Sequence, residues 1–275
     1  MKWMRLVGTG MFLLWAFSGR AESKDWGTKH RHGAVKLGYW SASSVGEVKF
    51  AEEVAGFKIG GNLDLEKDLK LSNPQMVPEV VVDLRPTKRN RFYLSYFQSR
   101  YLGENTRDLT PQPLEFLGTK FTGDVQTAFE VNRYKGFYQF SPFALKRGFV
   151  GFLLGANYYL YNLELEGKVN GTNLRKTETA TFPLFIPVAG VDGQFTLGYG
   201  LGLFGHVSGI SFNFSGVESS YLDALAGVQF KVSRLYSSLG YQFLNWKLNY
   251  ELSSDQTGNF NLSQQGLILH VGVNL

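Results

Sequence analysis

No cysteine occurs in the 275 residues. That absence removes disulfide scaffolds, thiolate metal sites and cysteine nucleophiles together. Long apolar runs are missing as well. A polytopic helical membrane protein needs several stretches of about 18 or more apolar residues, and beyond the N-terminus the sequence has none. Charged residues are sparse at 19%, below the roughly 25% of an average soluble chain and too few for a disordered one. Helical periodicity is almost absent. What is abundant is glycine, 32 residues, and aromatic side chains, 23 Phe, 14 Tyr and 5 Trp.

The formal charge of +5 would suit a nucleic-acid binder until its distribution is considered. Residues 1–21 read as a secretory signal: Lys2 and Arg5, then the apolar Leu6–Phe17, then small residues in Ser18-Gly19-Arg20-Ala21. Leu6–Phe17 is too short to span a bilayer. Cleavage after Ala21 takes away Lys2, Arg5 and Arg20 and leaves 25 basic against 23 acidic residues, a formal +2. An exported chain close to neutral follows, with no call for nucleic acid.

The remainder alternates. In 221–233 the even positions are Leu222, Ala224, Ala226, Val228, Phe230 and Val232, while the odd ones include Asp223, Gly227, Gln229 and Lys231. One face is apolar and the other polar, as in a strand between two solvents. Leu267, Leu269, Val271, Val273 and Leu275 alternate with Gly266, His270, Gly272 and Asn274 in the same way. In 158–168, Tyr159, Tyr161, Leu163 and Leu165 alternate with Asn162, Glu164, Glu166 and Lys168.

Short connections (87–90, 146–148, 198–200, 233–234) take turns with long polar ones (103–124, 167–179, 253–259). Tight turns on one side and longer loops on the other are the pattern of an outer-membrane barrel. Counting back from the C-terminus gives strands at 260–275, 236–252, 218–232, 201–214, 182–197, 149–166, 125–141, 91–102, 78–86 and 33–43, with 44–77 as a long first loop. The expected fold is all-β, a closed antiparallel transmembrane β-barrel of ten strands, with eight or twelve as alternatives. Twelve would require 54–61 and 113–122 to join the wall. Within the first loop, 62–69 reads as a short helix or a lip strand. Closure follows from physics, because an open edge in hydrocarbon strands unpaired backbone groups at several kcal/mol each. The aromatic residues suit girdles at the two interfaces. In 239–252 the apolar set switches from Leu239, Tyr241 and Phe243 to Leu244, Trp246, Leu248 and Tyr250, which a bulge in paired strands would produce.

Few motifs carry chemistry. Gly200-Leu201-Gly202-Leu203-Phe204-Gly205 fits G-x-G-x-x-G, yet a strand follows it where a dinucleotide site needs a helix, so a tight turn is expected. His30-Arg31-His32 is too sparse in ligands for a metal site, and Asn170-Gly171-Thr172 reads as turn chemistry. No cofactor or metal is expected. His206 and Ser208, two apart on a strand, share a face where the imidazole could activate the hydroxyl. The pair resembles the His-x-Ser dyad of outer-membrane lipid A deacylases, although Gly209 stands where those enzymes carry Asn. That resemblance implies a lipid A-modifying hydrolase, the alternative to a non-enzymatic role. Otherwise both residues face the lumen. The lumen charges expected from alternation are Lys36, Asp83, Arg85, Glu130, Asp223, Lys231 and Lys247. Their mixed sign suits a salt-bridged, narrow or occluded lumen better than an ion-selective ring.

The order of pieces resembles a family of uncharacterised proteobacterial outer-membrane β-barrel proteins. It is carried by Gly38-Tyr39-Trp40, the acidic 63–69 segment, Arg91-Phe92-Tyr93-Leu94-Ser95-Tyr96, Tyr221-Leu222-Asp223 and Gly240-Tyr241. It departs at Lys70 and Leu275. The resemblance implies a fold and a membrane, and no activity. The resulting expectation is a signal peptide (1–21), a periplasmic tail (22–32) and a barrel (33–275) in the outer membrane of a Gram-negative bacterium. Such a barrel would meet outer-membrane lipid, lipopolysaccharide and the barrel-assembly machinery, would stand as a monomer because closure leaves no edge, and would serve a structural, ligand-binding or small-solute channel role.

Overall fold

The computed structural model describes residues 33–50, 61–64, 75–105, 114–116, 119–169, 172, 174–214, 216–253 and 256–275. The expected leader, the tail with His30 and His32, and 54–60 lie outside them. In chain order the strands are β1 (Gly33–Phe50), β2 (Gly61–Asp64), β3 (Gln75–Leu84), β4 (Asn90–Asn105), β5 (Leu114–Phe116), β6 (Thr119–Leu145), β7 (Gly148–Val169), β8 (Arg175–Gly198), β9 (Leu201–Phe214), β10 (Val217–Val232), β11 (Leu235–Ser253) and β12 (Gln256–Asn274).

Ten of these form the wall. Each pairs antiparallel with its neighbours, and β1 closes on β12 from Ala34↔Asn274 to Phe50↔Gly258. The two short strands stay off it. β2 pairs with Glu47–Phe50 at the far end of β1 as a lip strand, and β5 folds back on Thr119–Phe121 of β6. The turns 85–89, 146–147, 199–200 and 233–234 lie at the end that carries Gly33 and Leu275, where Leu275 donates its N–H to the Gly33 carbonyl at 2.8 Å. At the 198–200 turn Tyr199 and Gly200 have φ of 51° and 81°, and a Cβ on Gly200 would stand 2.1 Å from the Lys231 carbonyl. The G-x-G-x-x-G string therefore serves a turn and the strand after it.

Faces keep period-two order apart from register shifts at Thr122/Val125 and Phe140/Phe143 on β6, Thr196/Gly198 on β8 and Glu251/Ser253 on β11, but the solvent on each side changes along the strand. Near the short turns the outward side chains are apolar: Leu267, Leu269, Val271, Val273 and Leu275 on β12, Leu235, Leu239 and Tyr241 on β11. On β12 that belt rises about 20 Å at a tilt near 40°, close to the roughly 25 Å apolar band of outer-membrane barrels. Past Gln265 the same outward row reads Ser263, Asn261 and Asn259, and the buried inward row becomes Leu262 and Phe260. β11 makes the same exchange, from outward Tyr241 to inward Leu244 and Trp246. Its register with β12 is unbroken from Leu235↔Val273 to Glu251↔Thr257. No bulge re-aims these strands where the apolar set switches. The wall passes from a belt with apolar outside and polar inside to a collar with polar outside and apolar inside. The tyrosine and glutamate rows of 158–168 belong to the collar: Tyr159, Tyr161, Leu163 and Leu165 point inward and are buried.

Aromatic residues divide accordingly. Tyr96, Tyr134 and Tyr158 lie side by side on the outer face with their rings tilted to one another, centroids 4.9 and 6.2 Å apart. The two described tryptophans, Trp40 and Trp246, are instead buried in the interior, not in a girdle. Each such fully buried side chain contributes about 2 kcal/mol by removal from water.

The wall is uneven between β8 and β9. Their ladder ends at Ala189↔Gly209, while β8 continues to Arg175 paired only with β7 among the described residues. Thr196 donates to Arg147 on the β7 side. By alternation the backbone groups of odd residues on β8 point the other way, and Pro183 and Pro187 are both odd. Proline lacks the N–H that a ladder needs, which confines it to such unpaired edges.

Candidate functional site

The belt interior holds a stack of charged rows, each built from one inward residue per strand. The row nearest the short turns runs Lys231↔Tyr236↔Gly272↔Lys36 across β10, β11, β12 and β1. Both ammonium groups lie over the Tyr236 ring, Lys36 at 4.4 Å and Lys231 at 5.7 Å from its centroid. Beside them Asp83 is wholly buried. It accepts from Arg85 Nε and Nη2 at 3.1 and 2.8 Å and from Arg91 Nε and Nη2 at 2.8 Å each. Four bonds fill the acceptor capacity of a carboxylate. Lys36 approaches it only to 3.8 Å. Arg91 also donates to Gln139 and stands 3.4 Å from Asp192.

One row further in, His270 bridges Ser238 and Glu79, with Nε2 3.0 Å from Glu79 Oε2. Gly38 lies between them in the row and makes the contact sterically feasible, since a Cβ there would stand 2.7 Å from the imidazole. Above it Asp223 collects Lys135 at 2.8 Å, Gln242 at 3.0 Å, and His206 and Arg133 at 3.5 Å each. Arg133 also stands 3.6 Å from Glu79 and lays its guanidinium 4.2 Å over the Phe97 ring. It is the hinge between charge and collar core. Beyond it the interior is filled by Trp40, Tyr101, Phe129, Tyr159, Tyr161, Trp246 and Phe260, all buried; Tyr159 meets Tyr221, and Tyr161 meets Trp246 and Phe260, across the lumen, while Trp40 lies against Phe97.

Of the residues expected in the lumen, Lys36, Asp83, Arg85, Asp223 and Lys231 point inward, and the first three meet around Asp83. Glu130 and Lys247 do not. Glu130 lies on the outer face, accepting from Asn132 at 2.7 Å and Gln98 at 3.1 Å, and Lys247 is exposed on the outer side of the collar. The reason is the exchange of solvents: in the collar the polar row is the outer one. His206 and Ser208 face inward. His206 reaches Asp223 and Lys135, while Ser208 is 1% exposed and its Oγ has no hydrogen-bond partner, the imidazole included. A hydroxyl so placed is not presented to lipid. Glu79, Arg91, Arg133, Lys135, Asp192 and His270 were not anticipated. Glu79 shares parity with Asp83, and His270 shares it with Asn274, so alternation carried both. Arg133 and Lys135 have the parity opposite to Glu130, and selecting Glu130 excluded them.

No protein-family model matches the chain, and no curated protein matches it in sequence. Solved structures do match in fold. The outer-membrane protease OmpT from Escherichia coli aligns over 89% of this chain and 97% of its own, at 8% identity and a TM-score of 0.53. The translocator domain of the autotransporter NalP from Neisseria meningitidis covers 96% and 95% at 11% identity, with a TM-score of 0.42. The transport unit of the autotransporter AIDA-I from Escherichia coli covers 98% and 96% at 10% identity and a TM-score of 0.42. The chain thus has the fold of an outer-membrane β-barrel, closed, antiparallel and ten-stranded.

Proposed function

We propose that this protein is a non-conducting barrel of the Gram-negative outer membrane, a rigid stand whose collar and long connections carry its role at the cell exterior. The carrying observation is the collar interior, where aromatic and aliphatic side chains meet from opposite walls and leave the charged rows below as a dead end. An outer surface polar above the belt and apolar within it supports insertion with the collar in water and the short turns in the periplasm. Outer-leaflet lipid and lipopolysaccharide then border the Tyr96–Tyr134–Tyr158 row. The assembly machinery inserts the chain, and the closed wall stands as a monomer.

Single-channel recording in a planar bilayer tests this reading. Folded protein, verified by heat-dependent gel mobility, is expected to give no discrete conductance steps. Reproducible steps would make it a small-solute channel and overturn the proposal.

A further inference from the structure

The row at the short-turn end is unbalanced in charge. Among the described residues, Lys36, Arg85 and Arg91 form ion pairs only with Asp83 and Asp192, Lys231 forms none, and Asp83 is already saturated by the two arginines. The Lys231 ammonium stands 5.7 Å from the Tyr236 ring centroid. No carboxylate lies within ion-pair distance of its ammonium among the described residues; an aromatic ring is its nearest compensation. Gathering like charges in a half-enclosed site costs stability, and a fold concerned with stability alone would replace one of them with an apolar residue.

Between these groups lies a cavity of about 90 Å³. An ordered water needs on the order of 10–15 Å³ measured this way, so the space admits several waters or one tetrahedral oxyanion with part of its shell. Arg85, whose side chain is 27% exposed, lines it toward the short turns, and Lys135, His206 and His270 line it further in. The turns around it carry Lys88, Arg89, Lys146, Arg147 and Arg234 and no Asp or Glu. Five cations at the rim and a surplus of two inside form a field that draws anions inward.

We infer that this cavity is a binding site for a phosphate-type oxyanion, taken up from the short-turn side and held by Lys36, Lys231 and Arg85. The part of the Arg85 guanidinium that Asp83 does not engage and the two ammonium groups supply charge-assisted donors to the space. With the collar blocked, such an anion enters and leaves by the same mouth. The site binds and does not conduct, and it stands independently of whatever the collar meets outside.

The test is calorimetric titration of inorganic phosphate, at constant ionic strength, into protein purified from outer membranes and held in phosphatidylcholine nanodiscs. One saturable site is expected. Lys231→Gln should weaken it about tenfold or more, the loss of one charge-assisted bond, and Lys247→Gln on the outer collar should leave it unchanged. If Lys231→Gln fails to insert, Lys231→Met is read in its place. It relieves the repulsion and packs on Tyr236, so it should raise the unfolding midpoint while weakening binding. Absence of saturable binding by the native protein, or equal affinity in native and Lys231 variants, overturns the inference. Repeating the titration in phosphatidylglycerol nanodiscs separates the two sources of this chemistry. Unchanged affinity identifies a free solute, and loss by competition identifies a lipid headgroup phosphate.

Discussion

Exchanging Asp223 for asparagine keeps the shape of the side chain and removes a single charge from the centre of the belt. The carboxylate is wholly buried and is the nearest anion to Lys135, at 2.8 Å, with Arg133 at 3.5 Å. Both cations are nearly inaccessible, their side chains 3% and 1% exposed, so water cannot replace the lost partner. Removing one member of a buried ion pair costs about 3–5 kcal/mol. Asparagine still offers one carbonyl to Gln242 or Lys135, and Arg133 keeps Glu79 at 3.6 Å, which sets the expectation at the lower end, about 3 kcal/mol. Reversible urea unfolding in lipid vesicles, followed by tryptophan fluorescence, reads this out, since Trp40 and Trp246 sit in the core directly above. Asp223→Asn combined with Lys135→Met should recover at least about half of the loss, because pairs that share a partner are not additive. A single variant within about 1 kcal/mol of the native protein would refute the reasoning. It would mean that the lower lumen is wet enough to solvate both cations.

Three further outcomes follow from the geometry. Leu269→Arg, in the middle of the outward belt of β12, should destabilise the inserted barrel by about 2–4 kcal/mol, whereas Asn261→Arg, eight residues back in the same outward row, should cost almost nothing; equal costs would misplace the belt edge. Gly38→Ala puts a methyl 2.7 Å from the His270 ring and 3.2 Å from the Glu79 side chain. It should lower the unfolding free energy by about 1–3 kcal/mol, while Gly136→Ala, whose added carbon meets only Leu94 at 3.6 Å, should be neutral. Trp246→Ala should lower stability by about 3–5 kcal/mol and still give no conductance steps in planar bilayers, because the charged rows and remaining rings keep the passage filled; opening by this one truncation would show that the plug is a single side chain deep.

The strand count was legible because alternation, turn length and parity are local. Ten runs and the tight turns between them needed no knowledge of what lay on either side of the wall; the long connections expected at 167–179 and 253–259 are shorter, because β7, β8, β11 and β12 run on to Val169, Arg175, Ser253 and Gln256. The faces were legible only in the belt. There the sequence of β10 separated Leu222 and Val228 from Asp223 and Lys231 correctly, since hydrocarbon outside and polar filling inside impose one code. In the collar the outside is water, the code reverses, and the same reasoning put Glu130 and Lys247 in the lumen and suggested a bulge for the exchange at Phe243–Leu244. Period two says which residues share a face. It does not say which face is which. Pairing was harder still: Asp83 with Arg91, Asp223 with Lys135 and Glu79 with His270 join strands far apart in sequence, and their contacts depend on barrel radius and shear.

The break above Ala189 and Gly209 gives Pro183 and Pro187 a meaning of their own. A strand that joins another must exchange bonds both ways, donor to acceptor and acceptor to donor. At these two positions the border of β8 offers only carbonyl oxygens. A neighbouring strand arriving there finds half a vocabulary: it can donate to the carbonyls of Pro183 and Pro187, but between them it can accept only from the Phe185 N–H. The stretch of β8 next to the end of the β9 ladder is thereby a terminus, where an ordinary strand would have been an invitation to continue.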